Sequence, residues 1–301
     1  MNRVPSLLLA FVLSMAAATV QPAARLMAFP AEGPAGEPAQ QATLKTAAAK
    51  APNTSFEDFD FQTEQQLLAL ANQSRQQAGA PPLTIDSGLS QAARIHAQAM
   101  REARQLSHQF DGEPSVPDRL AATTQLQLEQ EGENVALDYD AEHGHEHLML
   151  SAPHRRNLLN PAYNVVGLGV VRSGDRLYIV QDFGSALPKY SPAEVKQYLA
   201  AAVNEARRQA RQPNLHRRDW LGADDAACSM AQADKLGTTP VLKLAESFNV
   251  LSFTSLHPQT LPARAVRVVT GRSLRSYSIG ACYGRTETYP TGVYWVVLSL
   301  E

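Results

Sequence analysis

Cysteine is nearly absent from this chain: Cys228 and Cys282 are the two among 301 residues. Two thiols cannot make a disulfide-built miniature scaffold, and neither sits in a zinc-binding spacing, so a hydrophobic core has to supply most of the stability. An excess of charge of one sign is also lacking. The formal net charge is -2 with 19% charged residues, so no overall field draws in nucleic acid or an anionic membrane. Long apolar runs are missing after the first twenty residues, and no later segment reads as a membrane span. There is no Walker-type phosphate loop, no dinucleotide fingerprint, no G-x-S-x-G elbow and no His-Glu-x-x-His. Those gaps exclude nucleotide-binding and α/β-hydrolase readings, and a zinc protease built on His-Glu-x-x-His.

What is present suits one large domain or two modest ones, with 44% hydrophobic residues. Arg3, the apolar stretch Leu7-Leu8-Leu9-Ala10-Phe11-Val12-Leu13 and the small residues Ala16, Ala17 and Ala18 read as a secretory signal over 1–24. An Ala/Pro-rich segment, 25–55, reads as a disordered linker. The expected location is therefore secreted or periplasmic.

Apolar periodicity predicts a helix over 63–78, with Leu67, Leu68, Ala71 and Ala78 on one face, and with Thr63 and Gln66 as its capping box. Asp86 is placed to cap a second helix over 87–103, whose inner side carries Leu89, Ala92, Ala93, His96, Ala97 and Met100. A further helix is expected within 135–150. Strands are expected over 165–171 and 177–183, joined as a hairpin through Ser173-Gly174-Asp175.

The second half echoes the first. The run 72–83 is matched by 204–215, each followed by an Ala-rich helix. Ser278-Ile279-Gly280-Ala281-Cys282 echoes Val166-Gly167-Leu168-Gly169-Val170, and Tyr294-Trp295-Val296-Val297 echoes Tyr178-Ile179-Val180-Gln181. A degenerate second copy over 187–301 is expected. Cys228 then lies on its second helix and Cys282 on a strand, where either a bridge clamps helix to sheet or two thiols stay unpaired inside. The basic run Arg207, Arg208, Arg211, Arg217 and Arg218 reads as an exposed helix and turn.

Chemistry concentrates in three separated phrases. They are Leu106-Ser107-His108, Gly132-Glu133-Asn134-Val135-Ala136, and Ser151-Ala152-Pro153-His154-Arg155-Arg156-Asn157-Leu158-Leu159-Asn160. Together with Asn72, Arg75, His96, Asp118-Arg119-Leu120 and Gln181-Asp182-Phe183-Gly184, they resemble bacterial members of the CAP superfamily, the SCP-like extracellular domains. The resemblance covers 65–184. It implies an α+β fold, a three-layer α-β-α sandwich over 56–186 with a central cleft, followed by a second, smaller α+β domain.

By that resemblance His108 and His154 match the two cleft histidines of many animal members, and Glu133 matches one of two acids. The second acid is missing. Its place falls near Ser151, and Glu146 is the nearest acidic candidate. Two imidazoles and a carboxylate suit Zn²⁺ with one open position for water. The alternative is a hydrogen-bonded network that fixes loops. Asn134 is expected to order backbone, and His96, on an apolar helix face, to be an interior histidine. His143, His145 and His147 form a His-rich surface cluster, where His143 and His147 share a helix face at i, i+4.

Two functions stay open. The resemblance implies a binding module for a small apolar ligand, a lipid or an extracellular or envelope protein partner, with no role for nucleic acid. The alternative is a metal-assisted hydrolase, with a zinc-bound water between His108 and His154 and Glu133 as ligand or general base.

Overall fold

Four side-chain caps start helices of the first half. In the computed structural model, which describes residues 26–29, 59–220 and 222–301, Asp60 accepts the N–H of Thr63 at 3.0 Å and opens α1, Phe61–Gln77. The expected cap at Thr63 is thus corrected. Thr63 is buried in the first turn, and the acid before the helix takes its N–H. After β2, Thr84–Ile85, Asp86 accepts from Leu89 and opens α2, Ser87–Ala103, which ends at Arg104 in the left-handed region (φ 52°). Ser115 opens α3, Val116–Thr123.

The stretch expected to be helical over 135–150 divides. β3, Gln127–Asp138, takes its start, and α4, Ala141–Leu150, follows the Asp140 cap. α5, Ala152–Leu159, comes next. Then β4, Val165–Ser173, and β5, Arg176–Leu187, form the expected hairpin, turning at Gly174 with φ 62°. The sheet order is β2-β4-β5-β3, with β2 parallel to β4 and the other pairs antiparallel.

Side-chain alternation divides the sheet residues between two helical layers. Val166, Leu168, Val170, Ile179 and Phe183 pack with Leu67, Ala71, Leu148 and Leu158 of α1, α4 and α5. Val135, Val180 and Tyr178 pack with Ala93, Ala97 and Met100 of α2. Gly167 and Gly169 let α2 lie directly on β4. A Cβ there would sit 2.0 Å and 2.2 Å from the α2 backbone at Leu89 and Ala93. This is the three-layer α-β-α arrangement.

The second half repeats the order with one helix fewer. α6 is Pro192–Gln209, β6 His216–Arg217, α7 Ala223–Ala233, α8 Thr239–Ala245, β7 Asn249–Ser255, α9 Ala263–Val269, β8 Ser276–Gly284 and β9 Val293–Leu300. Its sheet runs β6-β8-β9-β7, with the same parallel and antiparallel senses. The ladder pairs Gly280 with Gly169 and Trp295 with Tyr178 in position, so the sequence alignment given above is one residue out of register.

Side-chain bonds repeat as well. Arg75 donates to the carbonyls of Pro81, Leu158 and Asn160, and Arg207 donates to those of Pro213, Val269 and Gly271. Arg207 is accordingly buried, which corrects its placement in an exposed basic run. Glu64 of α1 pairs with Arg94 of α2 at 2.5 Å, while Lys196 of α6 pairs with Asp224 of α7 at 2.5 Å. The sign is reversed between the halves. In both, the acid also accepts a strand N–H at the same rung, Val170 or Ala281.

Two further features complete the second half. Cys228 and Cys282 form a disulfide with Cα atoms 5.0 Å apart, joining α7 to β8. β1, Leu26–Phe29, pairs in parallel with β7. That corrects the reading of 25–55 as linker throughout, since an apolar tetrapeptide completes an edge with unpaired backbone. The signal segment 1–24 and the rest of 25–55 lie outside the described residues. No helix among the described residues is long and apolar enough to cross a membrane.

Candidate functional site

β3 is the last strand of its sheet, so the two helical layers meet around its outer edge. There the three separated phrases converge. Glu133 is on β3 and points to the α2 side, and its Oε1 accepts from His108 Nδ1 at 2.8 Å. Its Oε2 accepts from Arg119 Nη2 of α3. Arg119 Nη1 also donates to the His108 carbonyl at 3.1 Å and lies 3.3 Å from Glu113. His154, on α5, approaches from the other layer, with its ring centroid 6.4 Å from that of His108. Asn134 and Asn157 tie the two layers together. Asn134 Nδ2 donates to the His154 carbonyl (3.1 Å) and to Gln181 (3.2 Å), and Asn157 Nδ2 donates to the Glu133 carbonyl (3.1 Å) and to Asn134 (3.0 Å).

Burial separates these groups. Glu133 and Arg119 are buried, whereas the His108 side chain is 57% exposed. Glu133, through its hydrogen bond and charge, raises the His108 pKa against the effect of partial burial. Burial, with the nearby His108 charge, lowers that of His154. The outcome is one imidazole that favours its cation beside one that favours neutrality. With Nδ1 held by Glu133, His108 Nε2 is the nitrogen left for an incoming group.

Four members of this cluster were missed or undervalued in the sequence. His96 is fully buried; Nε2 donates to the Ser107 carbonyl at 2.8 Å, and Nδ1 lies 2.6 Å from Glu113. Its Nε2 is also 4.0 Å from Glu133. Glu113 therefore joins His96 to Arg119. Asp182 occupies the rung of β5 opposite Glu133 and is fully buried. Burial first, and the Glu133 charge second, push its pKa well above the usual carboxylate range. One signal was available in the sequence: an acid, beside Gln181, inside the largely apolar strand Leu177 to Phe183 on the same alternation as Tyr178 and Val180.

The auxiliary residues do not reach the cluster. Glu146 is exposed on the outer side of α4, so it does not replace the missing acid. Ser151 joins α4 to α5 through its backbone. The surface histidine cluster is corrected too. α4 buries Ala141, Gly144, His145 and Leu148, the i, i+3, i+4, i+7 stripe, so His145 turns inward and bonds Ser74 at 2.8 Å. His143 and His147 stay outside and pair separately, with Asp140 (2.8 Å) and Asp138 (2.6 Å). At Gly144 a Cβ would lie 2.7 Å from Ile179 Cδ1, so a larger residue there would require that side chain to shift.

The cleft residues do not fit a zinc ion. Zinc takes ligand atoms at roughly 2.0–2.2 Å. Both Glu133 oxygens are committed, one to an imidazole and one to a guanidinium that already supplies the positive charge. Among the described residues no three His, Cys, Asp or Glu side chains are arranged to hold a metal ion. Nor does a serine dyad form at His108: Ser107 Oγ donates to the Gln109 carbonyl at 2.7 Å.

Residues 68–183 match the Cysteine-rich secretory protein family, CAP. An uncharacterized protein of Bacillus subtilis, YkwD, is 33% identical over 152 residues, covering 46% of this chain and 59% of YkwD. An uncharacterized membrane protein of the same organism, YlbC, is 34% identical over 122 residues, covering 40% of this chain and 34% of YlbC. The chain therefore spans less than two thirds of either relative. Among solved structures, an extracellular protein containing a SCP domain from Bacillus anthracis is 27% identical with a TM-score of 0.37, covering 42% of this chain and 41% of that one.

Proposed function

We propose, on the premise that residues 68–183 are a domain of the cysteine-rich secretory protein (CAP) family, that the chain is an exported binding module. Its cleft engages an extracellular or cell-envelope partner through His108 and His154. One observation carries this reading: Glu133 and Arg119 satisfy each other inside, and the charge-favouring imidazole of His108 is left at the rim. A buried, fully paired carboxylate serves to hold that ring at a fixed angle. Helix α5 adds Arg155 and Arg156 beside His154 and contains no acid, so a partner carrying anionic groups suits the rim.

The hydrolase alternative is weakened by the same geometry, since the metal-bound water it needs lacks a ligand set. Secretion or periplasmic location is part of the proposal, and rests on the 1–24 segment together with the oxidised Cys228–Cys282 pair.

We also propose that 187–301 is a degenerate second copy of the unit in 56–186. Shared strand order, the matched arginines and the sign-reversed ion pair support it. The rung that holds Gly167, Asp182 and Glu133 in the first half holds Ser278, Ser299 and Val250 in the second. Its cleft chemistry has been lost.

The binding reading is tested by imidazole chemical shifts of His108 and His154 during titration with poly-glutamate, with oleate vesicles as a comparison. Saturable shifts with the polyanion, lost in His154→Ala, are expected. Zinc-dependent peptide or ester hydrolysis that disappears in His108→Ala would contradict it.

A further inference from the structure

The loop between β8 and β9 crosses from the second half to the first and lands on one short segment. Arg285 Nη1 donates to the Thr124 carbonyl at 3.0 Å and Nη2 to the Ala121 carbonyl at 2.8 Å. These lie at the C-terminal end of α3, where helix carbonyls lack intrahelical partners and a cation is favoured. Arg285 is itself steadied by Nε donating to the Pro290 carbonyl at 2.9 Å. Thr291, buried, makes a reciprocal pair with Leu128: it accepts the Leu128 N–H at 3.3 Å and donates to the Leu128 carbonyl at 3.2 Å. Just after β7, His257 Nε2 meets Glu129 at 2.7 Å.

All these contacts fall within 121–129, the connection between Arg119 and Glu133. The position matters because the register of β3 is interrupted between Leu128 and Glu131. Beyond a bulge, strand alternation has to be reset, and a slip of one residue would turn Glu133 from the α2 side to the opposite face. Thr291 holds the strand on the near side of that irregularity, and Arg285 holds the helix that carries Arg119.

We infer that the second half positions the cleft of the first: Arg285 and Thr291 are positioning residues that keep Arg119 and Glu133 in register and so hold His108 at the rim. The second half lacks the cleft rung itself, yet it is not a spare copy. It acts as a brace on the α3–β3 connection. This concerns the geometry of the cleft and holds whatever ligand the cleft takes.

The readout is the titration of His108, which faces Glu133 from β3, Arg119 from α3 and His154 from α5. Histidine-labelled full-length chain is titrated by NMR as wild type, Arg285→Ala, Thr291→Val and Thr291→Ser. The His108 midpoint should move down in Arg285→Ala and Thr291→Val. Thr291→Ser, which keeps the hydroxyl, should restore the wild-type midpoint, and His143, paired locally with Asp140, should not move in any variant. An unchanged His108 midpoint in Arg285→Ala and Thr291→Val overturns the inference, whether or not their thermal midpoints fall. If Arg285→Ala fails to fold, the Thr291 pair decides by the same criterion.

Discussion

Asp182 faces Glu133 across one rung of the β3–β5 ladder, and neither oxygen of its fully buried carboxyl accepts a hydrogen bond from the described residues. A second negative charge on that rung has no cation of its own, because Arg119 is committed to Glu133 and Glu113. Burial without a cation of its own, and the Glu133 charge beside it, favour the protonated form of Asp182 and raise its pKa.

The sign of the resulting pH dependence follows. The folded pKa of Asp182 lies above its unfolded value of about 3.9. The folded state then binds more protons across that interval, and stability falls as pH rises through it. Asp182→Asn should remove this loss and stabilise the chain at alkaline pH, by roughly 1.4 kcal/mol for each unit by which the folded pKa is raised. Urea unfolding of both proteins at several pH values checks it. Equal pH slopes would show that Asp182 is not the group concerned.

Glu133→Gln should act in the opposite sense. It leaves the buried Arg119 with one fewer anion, and breaking a buried pair costs roughly 3–5 kcal/mol. It should also lower the His108 pKa. In the wild type the His108–Glu133 contribution is fully present below the unfolded imidazole pKa and is lost as pH rises through the higher folded value. NMR titration of His108 in the variant, together with its thermal midpoint, tests both effects.

Gly280→Ala is expected to be severe, because its Cβ would lie 1.9 Å from the Ala223 carbonyl oxygen on the α7 backbone. Overpacking of this type costs about 1–3 kcal/mol or more. A thermal midpoint within a degree of wild type would mean that α7 does not rest on β8 as described.

Reduction of Cys228–Cys282 should cost about 2–5 kcal/mol, since the bridge closes a long loop. Unfolding followed with and without reductant measures it. Mass spectrometry of the exported chain under alkylation without reductant should find no free thiol.

Much of the fold was legible in the sequence because its signals are local. Asp86 sits next to a clean amphipathic run, and Gly174 marks a sharp turn between two apolar strands. The Asp60 cap was local too, three residues before Thr63, and was passed over for the Thr63–Gln66 pair although Asp is the stronger N-cap. Other features depend on partners distant in sequence. Nothing in 135–150 says that its opening residues pair with Ile179 and Val180. In the site, His108, Glu133 and His154 stood out because polar groups recur in recognisable phrases. Asp182 and Arg119 lie in such phrases too but were given no role, since what makes them important is the rung and the helix that set them against Glu133. His145 was misread as exposed because adjacent histidines look alike until the helix phase is known.

The decisive measurement is zinc calorimetry at neutral pH on the wild type, His108→Ala, His154→Ala and His143→Ala. Because Glu133 is shared between His108 and Arg119, no stoichiometric ion that depends on both His108 and His154 should bind. One ion per chain bound at micromolar affinity or tighter, lost in His108→Ala and His154→Ala and kept in His143→Ala, would contradict the cleft as an imidazole binding rim and make it a metal centre.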